Sequence, residues 1–73
     1  MTYDEIVETL GYAAGHEQRV RITTLNKFEV IGVPTSLDTH VTAHEVYLRP
    51  IGIEDAEVAV SLGQVESVEL LEE

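Results

Sequence analysis

The 73-residue chain has no cysteine, and only four lysines and arginines stand against fourteen aspartates and glutamates. Without cysteine there is no disulfide and no thiolate zinc site, so two common staples of a small fold are excluded and a reducing compartment is expected. The expected location is cytoplasmic. No apolar run approaches the roughly 18 residues that a membrane helix needs. The opening stretch MTYDEIVETL is acidic where a secretory leader is basic and then apolar, so no membrane partner is expected. The scarcity of cations leaves a formal net charge of −10, and such a surface repels phosphate backbones unless its few cations cluster. Solubility or a salt-rich environment explains the acidity most simply. Capture of basic partners and imitation of a nucleic acid are the sharper alternatives.

What is present reads as one domain, residues 1–73. A chain of this size buries only about 60% of its unfolded surface, so the core is thin and oligomerisation would reinforce it. Residues 2–14, TYDEIVETLGYAA, carry the signals of a helix. Thr2 followed three residues later by Glu5 is a capping box, and Asp4 and Glu5 suit the positive end of the helix dipole. Tyr3, Ile6, Val7 and Leu10 form one apolar stripe, which predicts a helix lying as a lid on a barrel end. Gly11 or Gly15 is expected to end it in a left-handed conformation.

Beyond Gly15 the apolar period changes from helical to alternating, and five short strands are predicted within residues 19–71. RVRITTL points Val20 and Ile22 one way and Arg19, Arg21 and Thr23 the other, and Asn26 and Lys27 make a hairpin turn into FEVIGV. HEVYLRPI sets His44, Val46 and Leu48 against Glu45, Tyr47 and Arg49. AEVAVSL sets Val58, Val60 and Leu62 against Glu57, Ala59 and Ser61, Gly63 breaks it, and VESVELL supplies the last strand. The expected fold class is mainly β with one N-terminal helix, a five-stranded and strongly bent antiparallel barrel of the SH3-like or Sm-like kind, because so few strands protect their edges best by closing. Val20, Ile22, Phe28, Val30, Val46, Leu48, Val58, Val60 and Val68 are its predicted core, and Phe28→Ala is expected to cost about 3–5 kcal/mol.

The segment GVPTSLDTH, residues 32–40, has the composition of a turn but lies between strand-like flanks. The run VRITTLNKFEVIGVPTSLDTHVT resembles the first signature of Sm-like proteins, in which two strands lead to a glycine and, after five residues, to an aspartate, commonly followed by a histidine and an asparagine. Gly32, Asp38 and His40 fall on those positions without a gap. The upstream LGYAAGHEQRV is similar to the end of the Sm N-terminal helix running into strand one. The resemblance implies that Gly32 lets a long second strand bend, that Pro34 lies at an edge or bulge, and that Asp-Thr-His forms the loop between the second and third strands. It also implies a binding loop of Gly32, Asp38, His40, Thr42 and Gly63, and rings in which the fourth strand of one copy pairs with the fifth of the next.

Two departures bear on function. Thr42 stands where the family carries the base-binding asparagine, and Leu62 precedes Gly63 where the family carries an arginine or lysine, which removes the cation that meets phosphate or stacks on a base. The architecture is therefore implied more strongly than the RNA site. The layout of helix, Sm-like barrel and acidic surface is also similar to the Rho-binding antiterminators, which work through a protein partner.

Catalysis finds little support. His40 and His44 would share a helical face as metal ligands, with Asp38 or Glu45 to complete the site, but they sit in an extended, β-rich stretch, and no zinc motif is present. Asp38 suits a turn, accepting hydrogen bonds from its own loop. No nucleophile has a recognisable context and no glycine-rich phosphate loop opens a helix. No catalytic residue, metal site, cofactor or enzymatic activity is expected. The expected function is a regulatory adaptor acting through protein contacts, with itself and with an unidentified protein, in RNA or transcription control. An RNA-binding Sm-like ring and an acidic inhibitor, nucleic-acid mimic or ligand-sequestering decoy, of viral origin in one version, remain open.

Overall fold

The computed structural model describes residues 1–40, 43–52 and 56–71. Helix α1 spans Tyr3–Gly15 and starts at the predicted capping box: the Glu5 N–H donates to Thr2 Oγ1 at 3.2 Å and the Thr2 N–H to Glu5 Oε1 at 2.9 Å. The Thr2 backbone N–H, helped by the Thr2 hydroxyl, holds the Glu5 carboxyl below its ordinary range. Ile6, Leu10 and Ala13 are buried and Val7 is half-buried. Tyr3, expected in the stripe, is exposed instead and its ring tilts toward His44 at a centroid distance of 6.1 Å. Neither Gly11 nor Gly15 ends the helix in a left-handed conformation. The Gln18 N–H reaches back to the Ala13 carbonyl at 2.9 Å, and this closure puts Glu17 at φ 51°, one residue past the cap at His16.

Five strands follow: β1 (Val20–Thr24), β2 (Glu29–His40), β3 (Ala43–Pro50), β4 (Val58–Ser61) and β5 (Val65–Leu70), with a 3-10 turn at Leu62–Gln64 between the last two. All pair antiparallel in the order β4-β3-β2-β1-β5. The sharp bend of this sheet lies in β2. Its residues 29–32 pair with β1 and its residues 32–40 pair with β3, so Gly32 belongs to both ladders. A Cβ at Gly32 would sit 2.6 Å from the Arg49 carbonyl oxygen, so only glycine permits this approach. Pro34 lies just past the point where β1 leaves the strand, beside a bulge at Thr35, and its missing N–H costs no ladder bond there. The Thr35 hydroxyl donates to the Tyr47 carbonyl at 3.2 Å across the bulge.

The same strand corrects the expected loop: Asp38, Thr39 and His40 are the last residues of β2, paired with Glu45, His44 and Ala43. Polar composition misleads here because the hairpin end projects into solvent, where a strand needs no apolar face.

The core consists of Ile6, Leu10 and Ala13 from α1 and of Val20, Ile22, Val46, Leu48, Val60, Leu62, Val65 and Val68 from the sheet and its 3-10 turn. Helix α1 packs on β2 and β5 as the expected lid. Val30 and Val58 are half-buried. Phe28 does not belong to the core; it is 69% exposed. It lies in the turn before β2 begins, where Thr24 holds its backbone through bonds to both its N–H and its carbonyl, and alternation gives its direction without giving it a cover. The turn places Lys27 at φ 71° in the position glycine or asparagine usually fills. In β5 a bulge at Glu66 resets the alternation, so Val65 and Val68 both face inward.

Candidate binding surface at the hairpin end

Strand register assembles the surface. Asp38 on β2 faces Glu45 on β3, and Glu45 faces Ser61 on β4, forming one row across three strands. Neighbouring pairs lie about 5 Å apart, so Asp38 and Ser61 are about 10 Å from each other. The adjacent row of Leu37, Val46 and Val60 turns toward the core, which directs the polar row outward. Gly63 follows Ser61 by two residues, so the β4–β5 turn stands at the same end of the sheet as Asp38 and His40. Gly32 lies at the opposite end of the β2–β3 ladder, six residues and roughly 20 Å away along the strand.

Asp38 and His40 share a face as residues two apart in a strand must. One Asp38 oxygen accepts from the His40 backbone N–H at 3.0 Å and lies 2.7 Å from His40 Nδ1. These two contacts, the backbone bond first, hold the Asp38 carboxyl below its ordinary range, and the positive fields of His40 and His44 add to them. His44 pairs with Thr39 and therefore faces the other side of the hairpin. The two histidines that share a face in a helical reading thus diverge. Among the described residues no three His, Asp or Glu side chains converge as metal ligands. Thr42 lies outside the described residues. Gly63 is exposed in the 3-10 turn, with room for a side chain, its nearest neighbour being Ser61 Oγ at 3.7 Å.

Leu62 occupies the position at which a phosphate-binding cation would precede Gly63, and it is buried in the core. The cations themselves are largely answered by carboxylates. Arg21 Nη1 donates to Glu69 at 2.7 Å, with Glu29 at 3.9 Å from its Nε, and Lys27 Nζ donates to both Glu66 oxygens at 2.7 and 2.8 Å. Arg49 is exposed on β3, on the same face as Glu45.

This arrangement of one helix and five strands is similar in fold to a 1.55 Å crystal structure of the pleiotropic translational regulator Hfq. That structure matches with a TM-score of 0.71 over 97% of this chain and 100% of that chain, at 18% identity. The fold is Sm-like. No protein-family model and no curated protein matches the chain. At 18% identity the likeness is one of fold, so the side chains mounted on the Sm-like frame have to speak for themselves. Their arrangement offers outward carboxylates and hydroxyls at the hairpin end, chemistry suited to accepting hydrogen bonds from a cationic or N–H-rich group. Sequence reasoning reached Glu45 only as a candidate to complete a histidine metal site and missed Ser61, since only register brings the row together. No helix among the described residues is long and apolar enough to cross a membrane.

Proposed function

We propose that the chain is a non-enzymatic binding module of the cytoplasm that acts in regulation through protein contacts, with other proteins and with copies of itself. The supporting observation is the fate of its cations: Arg21 and Lys27 are engaged by Glu69 and Glu66, and Leu62 is buried where a phosphate-binding cation would stand. A surface of charge −10 with two of its four cations paired to carboxylates suits basic protein surfaces better than a phosphate backbone. Among the described residues β4 and β5 are the outermost strands and pair with a strand on one side only, Met1 Sδ accepting from the Val68 N–H at 3.2 Å on β5, and such edges favour self-association by strand pairing. The structural neighbour is a translational regulator, in keeping with a regulatory role.

An RNA-binding reading draws on a different observation. Phe28 is exposed beside Lys27, an aromatic and a cation of the kind on which single-stranded bases stack. Glu66, bound to that lysine, weakens it.

Capture of partners from native lysate, with and without nuclease, separates the two. A protein retained after nuclease treatment is expected; material lost with nuclease and consisting of RNA would overturn the proposal. Sedimentation across a salt series tests the self-contacts. Repulsion between copies is screened over about 10 Å at 0.1 M salt, so assembly is expected to strengthen as salt rises, and a monomer under all conditions refutes pairing through β4 and β5.

A further inference from the structure

An open groove of about 380 Å³ runs between α1 and the end of β5, lined by Met1, Glu5, Glu8, Thr9, Tyr12 and Leu70. The helical residues fall at 3-and-4 spacing on a flank distinct from the buried Ile6, Leu10 and Ala13. Leu70 pairs with Val20 as Val68 pairs with Ile22, so it has the parity of a core residue, yet it is 39% exposed. Tyr12 is 51% exposed, and its ring is held by a stack on His16, with centroids 4.1 Å apart and planes 21° from parallel. Met1 is exposed as well. Three large apolar groups therefore border one groove, together with the Glu5 and Glu8 carboxylates and the α-ammonium of Met1, whose field helps to lower Glu5. Glu5 is engaged in the helix cap, whereas Glu8 has no hydrogen bond or ion pair among the described residues.

Apolar walls with a carboxylate at the rim match a cation carried on an aliphatic stem, since lysine and arginine lay their methylenes on apolar surface and keep the charged head outside. We propose that this groove binds a short basic segment of a partner protein, a lysine or arginine flanked by apolar residues, with the cation at Glu8 and the stem along Tyr12, Met1 and Leu70. The assignment rests on the protein-contact reading above and names the chemistry of the partner.

A second copy of this chain does not fit the groove. Its basic alternating stretch, residues 19–22, runs into β1, which is paired on both sides, and Arg49 lies on β3, also paired on both sides. Lys27 is bound to Glu66 in a tight turn. Phosphate-bearing ligands are disfavoured by the Glu5 and Glu8 carboxylates.

The test is a chemical-shift titration of the isotope-labelled protein with a short synthetic peptide alternating lysine with leucine or valine. Its lysine-to-glutamate counterpart and an oligouridylate RNA serve as competing probes. Shifts are expected to concentrate on the amides of Thr9, Tyr12 and Leu70 with the basic peptide alone. Glu8→Lys is expected to weaken binding about tenfold or more and Glu8→Gln by an intermediate factor. Glu29→Lys, an exposed site with the same change in net charge, should weaken it less than about threefold. Equal losses at Glu8 and Glu29, shifts centred elsewhere, no binding at millimolar peptide, or the same shifts with RNA would each overturn the groove assignment. The two proposals fail separately: a nuclease-resistant partner that Glu8→Lys still captures removes the groove and leaves the protein-contact function standing.

Discussion

Replacing Gly32 by alanine probes the point where β2 passes from one ladder to the other. The added methyl would meet the Arg49 carbonyl oxygen at 2.6 Å, its carbon at 3.1 Å and Pro50 Cα at 3.2 Å, all of them backbone atoms of the paired strand. Carbon and carbonyl oxygen ordinarily touch at about 3.3 Å, so β2 and β3 must part by roughly 0.7 Å or the methyl must tilt out of its natural direction. No flexible side chain is there to absorb the strain. Overpacking costs about 1–3 kcal/mol and occasionally more, and a clash with fixed backbone belongs at the upper end. The loss of unfolded-state entropy on replacing glycine offsets about 0.4–1 kcal/mol of this. A net destabilisation of about 2 kcal/mol is expected, equivalent to a fall in Tm of roughly 8–16 °C for a domain of this size. Urea unfolding followed by far-ultraviolet circular dichroism measures it. Gly15→Ala is the matched control: nothing lies within 4 Å of its Cβ position and it ends a helix, so it should be neutral or stabilising by up to about 1 kcal/mol. A Gly32→Ala protein within about 0.5 kcal/mol of the parent would refute the close approach of β2 to β3.

Leu10→Ala, at a fully buried position where α1 meets the sheet, should cost about 2–5 kcal/mol in the same urea experiment; a loss below about 1 kcal/mol would mean that the helix is not seated on the barrel. Phe28→Ala should change stability by less than about 0.5 kcal/mol, because the ring is mostly in solvent and surface substitutions fall in that range, and a loss of about 3 kcal/mol would return it to the core. The Asp38 carboxyl titrates below its ordinary range, chiefly through the His40 backbone N–H. Its folded pKa is thus lower than its unfolded one of about 3.9, and its contribution is complete above that value and lost as pH falls through the folded pKa. Asp38→Asn should flatten the acid limb of stability between about pH 5 and pH 2 relative to the parent, and superimposable pH profiles would show that Asp38 contributes nothing to it.

Local chemistry made the helix start and the strand order legible: a capping box needs only two side chains three apart, and Val20, Ile22, Val46 and Leu48 announce their common face by period two alone. What alternation cannot reveal is coverage. Phe28 and Leu70 have core parity and stay exposed because Phe28 sits in the turn before β2 and Leu70 at the end of β5, beyond the reach of the neighbouring elements. Bulges hide for a related reason. At Glu66 and Thr35 one strand sets two residues against one, a fact that belongs to the pair of strands and is written in neither. The candidate surface divides the same way. Asp38 and His40 could be picked out because they fall on the Sm-like signature, although in an expected loop, whereas Glu45 and Ser61 join them in one row only through register, and the groove beside α1 needs the helix and β5 to be brought together first.

The ladder between β1 and β5 has a kinetic consequence. Arg21 and Glu69, 48 positions apart, are joined across it, so the sheet is completed by the most distant pairing in the molecule. The β2–β3 hairpin can form from local contacts while the chain is still being synthesised, but β1 keeps one bare edge until residues 65–70 are available. Closing so long a loop carries an entropic cost that the intervening strands must first offset, and domains dominated by such pairings fold in milliseconds to seconds instead of microseconds. A nascent or C-terminally clipped chain would therefore display an unpaired β1 edge, the form most exposed to mispairing and to proteolysis.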